Sequence, residues 1–293
     1  MSTATTTPEP QTAPVPQPAP AGLRLTPVHV LRSEWLKFWT VRSTYWTLAL
    51  TAVVFVGLVT LVSFGLRAAG AGPEQLGGTQ IALLPLSAGA QLALIPLAVL
   101  GVLTVTSEYS TGMIRASLTA VPTRLPVLWA KAAVVGVVTL VLTVVTVVTS
   151  AALASLILHS KGGSLDAGDP QVQRIVLGTA LYLTTTTLFA FALGALLRHS
   201  AAALGVVLTL LLVIENALTV LAQVVWKWLQ HVTPFLPSSA GSRLTMTEEQ
   251  IASANDANIY HVHLTAWQGY GVLVAWVVVI LAFAAVRLRS RDA

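Results

Sequence analysis

Two groups of residues in this sequence could hold a proton or a metal ion. Glu215, followed by Asn216, stands inside a long apolar run, and a carboxyl group within a membrane span is a candidate for a transport pathway or a proton relay. His261 and His263 form an H-x-H pair that could share a metal ion. The sequence places no third ligand beside them, so histidines at a membrane interface near Tyr260 are the favoured interpretation.

Glu215 also has a structural interpretation, which is the favoured one. Polar side chains join neighbouring spans through hydrogen bonds, and residues 184–187, a run of four threonines, offer hydroxyl groups as partners. The sequence therefore predicts a polar site at Glu215 and Asn216 that either holds the spans together or serves transport.

A third feature is the polar stretch SEYSTGMIR at residues 107–115, which separates two apolar runs. Gly112 lets the chain leave the preceding helix, and Met113 and Ile114 form a small apolar face beside Arg115. We interpret this stretch as one or two turns of amphipathic helix that dock on a partner. Glu108 and Arg115 are the candidate contacts, either with that partner or with residues that fix the loop; the alternative is that both are ordinary solvated loop charges.

The composition indicates that most of this chain lies in a lipid bilayer. Hydrophobic residues make up 55% of it, charged residues only 9%, and the mean hydropathy is +0.78, which is far from the balance of a soluble globular domain. The formal net charge of +5 fits cytoplasmic loops of a membrane protein better than a nucleic-acid partner. Because the chain has no cysteine, disulfides, thiolate metal ligands and a cysteine nucleophile are excluded.

The elements that must position these residues follow from hydropathy. Residues 1–26 are predicted to be a disordered Pro-rich tail, and residues 27–45 an interfacial amphipathic helix that carries Trp35, Lys37, Trp39 and Arg42 at the headgroups. The alternative for residues 27–45 is the cytoplasmic end of a tilted first span. The predicted transmembrane domain covers residues 46–287, and a basic cytoplasmic tail covers 288–293. The six predicted spans are residues 46–66, 81–106, 127–158, 175–197, 201–228 and 265–286.

The fold class predicted is thus an all-α polytopic membrane protein with six transmembrane helices. Most of the 16 Lys and Arg residues fall on one side when the N-terminus is placed inside, which predicts that both termini are cytoplasmic. This orientation places the loop of about residues 107–126 in the cytoplasm. The longest loop, residues 229–264, then lies outside as a gate or partial re-entrant element, and Thr247 is a possible N-cap of a short helix within it.

The chain resembles the permease subunits of type-two ATP-binding-cassette (ABC) exporters. The resemblance rests on RSEWLK at residues 32–37, on EYSTGMIR at 108–115 with Lys131 following, and on LPSSAG at 236–241. It implies that the loop at 107–126 couples to a nucleotide-binding ATPase subunit, and that a second permease, identical or related, completes the pathway. It also implies a multi-pass protein of the plasma membrane that exports its cargo, is not itself an enzyme and carries no cofactor or metal.

Two other classes of function remain open at this point. A proton-coupled secondary transporter would depend on Glu215 and need no ATPase. An intramembrane enzyme is the weaker alternative, because the predicted spans offer hydroxyl groups but no central histidine or aspartate as a base.

Overall fold

The computed structural model describes residues 27–70, 78–110, 125–258, 260 and 262–290. The predicted tail at residues 1–26, and Gly112, Met113, Ile114 and Arg115 of the predicted coupling loop, lie outside them. The described chain is almost wholly helical and contains no strand. Its helices are α1 (Pro27–Thr40), α2 (Arg42–Ala68), α3 (Gly78–Ser110), α4 (Leu125–Leu158), α5 (Pro170–Leu197), α6 (Ser200–Val224), α7 (Pro237–Gly241), α8 (Glu248–Asp256) and α9 (Ala266–Ser290).

Six helices of the described chain are long and apolar enough to cross a membrane, which confirms the predicted number of spans. They correspond to α2, α3, α4, α5, α6 and α9. At 1.5 Å per residue, the 34 residues of α4 extend over about 50 Å, well beyond a hydrocarbon core of about 30 Å. We therefore expect α4 to tilt or to project from the bilayer.

Helix α5 forms the centre of the bundle and packs against α3, α4 and α9. Small residues permit this close packing, as is usual for helices in membranes. A Cβ atom at Gly101 of α3 would collide with the backbone oxygen of Thr187, and one at Gly194 of α5 would lie 2.9 Å from a methyl carbon of Val105. The two helices therefore cross with their backbones nearly in contact.

Helix α1 is separated from the first span by Val41, whose backbone is extended. Its inward face is Val30, Glu34 and Phe38, all buried, and Val30 packs against the start of α4. Leu31 and Trp35 are exposed. Phe38, three residues after Trp35, is buried and packs into the main core of the bundle.

The segment between α6 and α9 folds back into the bundle. Trp276 Nε1, in α9, donates a hydrogen bond of 2.9 Å to the Phe235 backbone oxygen, and the hydroxyls of Tyr182 and Ser238 are 2.9 Å apart. Trp276 and Tyr182 lie ten and twelve residues into their helices, or about 15–18 Å from the helix ends. Residues 233–245, which we term the re-entrant segment, thus reach deep between the spans.

The start of α8 confirms one prediction in detail. Thr247 is the N-cap of α8, and its hydroxyl accepts from the Gln250 backbone while the Gln250 side chain accepts from the Thr247 backbone. This capping box satisfies two backbone N–H groups that would otherwise lack partners at the start of the helix.

Candidate functional site

Four charged residues meet where α1, α3 and α4 converge. Lys131 Nζ lies 2.6 Å from Glu34 Oε2 and 2.8 Å from Glu108 Oε1. Lys37 Nζ lies 2.7 Å from Glu34 Oε1 and 3.8 Å from Glu108 Oε1. We call Glu34, Lys37, Glu108 and Lys131 the charge cluster. Its two acids and two bases alternate, so the cluster as a whole is neutral.

Burial makes these contacts mutually dependent. Glu34, Glu108 and Lys131 are 3%, 5% and 8% exposed, whereas Lys37 retains a third of its side-chain exposure. A charge removed from water is tolerated only when an opposite charge and hydrogen bonds compensate for its lost hydration. Lys131 contacts both acids, so it joins α4 to α1 and to α3.

The interpretation of Glu108 as a solvated loop charge is therefore wrong. Glu108 belongs to the last turns of α3, is buried, and pairs with Lys131. The sequence contained a signal for this pairing, because Glu34 and Lys37 share one face of α1, and few other charges border the apolar runs. The pairing was not predicted because Glu108 and Lys131 are 23 residues apart in the sequence.

Glu215 lies directly after a π-helical segment, Thr209–Ile214, that interrupts α6. Its side chain is buried and accepts three hydrogen bonds from the re-entrant segment. The Ser238 N–H donates to Oε1 at 2.9 Å, and the Ser239 N–H and hydroxyl donate to Oε2 at 2.8 and 3.1 Å. Glu215 thus fastens α6 to the first turn of α7, and we call this contact the Glu215 latch.

The predicted partners of Glu215 are wrong. The hydroxyls of residues 184, 186 and 187 donate to backbone oxygens one turn earlier in α5, and the hydroxyl at 185 pairs with Tyr270. Asn216 points elsewhere too: it is exposed, and its amide donates to the Leu212 backbone oxygen at 2.8 Å. Glu215 and Asn216 are adjacent in sequence and line the same cavity, but their hydrogen-bond partners differ.

A cavity of about 570 Å³ lies beside the latch, between α3, α6 and the re-entrant segment. Hydroxyl and carboxamide groups contribute much of its lining, including Gln91 of α3 and Asn216 and Gln223 of α6. Such a wall offers hydrogen-bond donors and acceptors at the level of the spans. Arg243 also lines the cavity, and its guanidinium donates to Asn255 Oδ1 and to the Leu264 backbone oxygen, both at 2.7 Å.

Comparison with known proteins decides the class of the chain. The profile of a family described as "ABC-2 family transporter protein" matches residues 30–216, which is more than half of the chain. This chain belongs to the ABC-2 transporter family. It is therefore a multi-pass membrane protein and a membrane subunit of a transporter. No curated protein sequence matches it at a significant level.

The matched range of this ABC-2 protein includes both arrangements described above. The whole charge cluster and Glu215 fall within residues 30–216, whereas the re-entrant segment and α9 lie beyond it. The match therefore includes the latch carboxylate, whereas its partners Ser238 and Ser239 come from a part of the chain that the match does not cover.

The aromatic residues predicted at the interface of the ABC-2 protein cluster at the bend between α1 and α2. The Trp39 ring lies 5.9 Å from that of Trp35 and 5.4 Å from that of Tyr45, whose hydroxyl donates to the Trp39 backbone oxygen at 2.7 Å. Arg42 is exposed at the first turn of α2. These rings brace the bend that places Lys37 in the charge cluster.

The histidine pair has no metal-binding arrangement in the described chain. His261 lies outside the described residues, and among the described ones no group of three His, Cys, Asp or Glu side chains could hold a metal ion. Another histidine, His231, stacks on Tyr260 with ring centroids 3.7 Å apart.

Proposed function

We propose that this chain is the permease subunit of an ABC exporter of the plasma membrane, driven by a separate ATPase subunit. The charge cluster is the observation that carries the proposal, because it joins both ends of the predicted coupling loop. The glycine-rich stretches of the printed sequence lack the Lys and the Ser or Thr that a phosphate-binding loop requires. The proposal therefore assigns ATP binding to another polypeptide.

The charge cluster would transmit a movement of the ATPase to the membrane helices. Glu108 stands at the start of the predicted loop and Lys131 just after its end, and the 2.8 Å contact between them holds α3 and α4 together there. Lys131 also contacts Glu34, so α1 is bound to the same point. A displacement of the loop by the ATPase would therefore move three helices as one body, as alternating access requires.

A second permease is proposed to cover the polar side of the bundle. Gln91, Asn216 and Gln223 are exposed carboxamides that line one cavity. Gln91 lies thirteen residues into α3, or about 20 Å from its start, and a carboxamide that faces hydrocarbon at such a depth is costly. A second copy of this chain, or a related permease, would enclose these groups with the cavity in a shared pathway.

Photolabelling tests whether ATP binds to a separate subunit. The chain, purified in mild detergent from the membranes of its own host, is treated with 8-azido-ATP and irradiated. We expect the label on a second polypeptide that co-purifies and hydrolyses ATP. The mass of the intact complex should correspond to an assembly with two permease chains. The proposal is contradicted if the label falls on the 30.8 kDa chain itself, or if no nucleotide-binding polypeptide accompanies it.

The coupling loop provides a second prediction. Arg115→Ala should reduce the amount of co-purified ATPase by about fivefold, the effect of losing one charge-assisted hydrogen bond at an interface. Arg67→Ala is the matched control, because Arg67 is an exposed arginine at the end of α2 predicted to lie outside. Equal recovery of ATPase with both variants, at unchanged permease yield, would remove Arg115 from the docking contact.

A further inference from the structure

A second cavity, of about 370 Å³, opens beside the charge cluster where α1, α2, α3 and α4 meet. Its wall on α3 runs from Glu108 and Ser107 to Leu103 and Leu100, a distance of about 12 Å along the helix. The wall is thus charged and hydroxylated at one end and apolar at the other. A cavity with this gradient, at the end of membrane spans, fits an amphiphile better than a soluble ion.

The polar end of the cavity contains an acceptor that has no donor. Glu108 is 5% exposed and uses Oε1 for both of its lysine contacts, whereas its Oε2 accepts no hydrogen bond from any described residue. A buried carboxylate oxygen without a donor is costly, and such groups in folded proteins normally bind water or a ligand. The donor that fits here is a cation with N–H groups.

The same end also contains donors that have no acceptor. The cavity is lined by Val41, Ser43 and Thr44 at the start of α2, a helix of 27 residues whose N-cap, Val41, provides no side-chain hydrogen bond. The hydroxyls of Ser43 and Thr44 likewise have no partner in the described part of the chain. The Thr44 N–H donates to the Val41 backbone oxygen at 3.1 Å. The N–H groups of Arg42 and Ser43 at the helix start, together with the two hydroxyls, remain as donors for a phosphate.

We propose that this cavity binds a phospholipid with a primary-amine headgroup. The phosphate lies at the N-terminus of α2, the ammonium donates to Glu108 Oε2, and the first methylenes of the lipid lie against Leu100, Leu103 and Val134. A zwitterionic headgroup leaves the neutral charge cluster neutral, which an anionic headgroup would not. A quaternary ammonium has no N–H group to donate. Binding of such a lipid requires neither ATP nor cargo, so this inference is independent of the proposed function.

Native mass spectrometry of the purified full chain tests the site with lipids of known structure. The probes are phosphatidylethanolamine, its N-methyl and N,N-dimethyl derivatives, phosphatidylcholine and phosphatidylglycerol, all with the same acyl chains. We expect retained lipid to decrease with each methyl group, to about a tenth between the primary amine and choline, because the charge-assisted hydrogen bonds are lost. Equal retention of the five lipids would overturn the proposal.

Two variants locate the binding without disturbing the charge cluster. Ser43→Ala and Thr44→Val should each lower retention of phosphatidylethanolamine by about threefold or more, the effect of one lost hydrogen bond. Thr60→Val, farther along α2, is the matched control, since the Thr60 hydroxyl bonds only to the Val56 backbone oxygen. Unchanged retention in both test variants would overturn the site, as would displacement of the lipid by an equal concentration of soluble glycerophosphoethanolamine.

Discussion

Replacing Lys131 with methionine is expected to destabilise the protein by about 3 kcal/mol, the usual cost of breaking a buried ion pair on one side. The substitution preserves much of the side-chain volume but leaves Glu34 and Glu108 with Lys37 as their remaining cation. Thermal denaturation in detergent, followed by loss of the monodisperse peak in size-exclusion chromatography, should show a Tm lower by about 5 °C or more. ATPase recovery should fall as well, because α4 is no longer joined to α1 and α3 at the loop.

Two further substitutions serve as controls for this result. Lys161→Met removes a lysine from the turn that follows α4 and should change the Tm by less than about 2 °C, because no acid contacts Lys161 among the described residues. Lys37→Met should have an intermediate effect, since the partial exposure of Lys37 lets water screen its contacts. If Lys131→Met and Lys161→Met melt alike, the charge cluster does not hold these helices together.

Replacing Glu215 with alanine is expected to release the re-entrant segment. The substitution removes an acceptor from two backbone N–H groups and one hydroxyl, and charge-assisted bonds of this kind contribute about 1.5–3 kcal/mol each. Since the chain has no cysteine, Ser242→Cys provides a single reporter in the turn that follows α7. Its rate of reaction with a membrane-impermeant maleimide should rise by about tenfold or more, because local opening becomes more frequent.

The adjacent residue provides the control for the latch. Asn216→Ala alters the same turn of α6 but removes no bond to the re-entrant segment. The latch is disproved if the reporter reacts equally fast in both variants. Glu215→Gln separates the latch from proton transfer: a carboxamide cannot carry a transported proton, so full transport by this variant would exclude the proton-coupled alternative.

Length and hydropathy were sufficient to predict the spans, because a hydrocarbon core imposes about 20 apolar residues on any helix that crosses it. The N-cap at Thr247 was also predictable, since a capping box is a local pattern. The contacts that define the candidate sites are not local. Glu215 and Ser239 are 24 residues apart, and nothing in the apolar sequence between them fixes how far the chain folds back.

The burial of Phe38 also could not be predicted from the sequence pattern of α1. Periodicity assigns residues to faces of a helix, but the apolar residues of α1 have two environments: the bundle on one side and, in the predicted interfacial position, lipid on another. Both accept apolar side chains, so hydropathy does not distinguish Trp35, which is exposed, from Phe38, which is buried. The inward face is marked instead by Glu34, whose partner Lys131 lies beyond two further spans.

The order of synthesis gives the charge cluster a further consequence. A chain that emerges from its N-terminus presents Glu34 and Lys37 to the membrane surface well before Glu108 and Lys131 exist. Glu34 and Lys37 pair at 2.7 Å within α1 itself, so their charges can compensate each other before the rest of the cluster is present. Lys131, which contacts both acids, becomes available only after α4 has been synthesised. The charge cluster can therefore be complete only when α1 to α4, the first half of the bundle, are present.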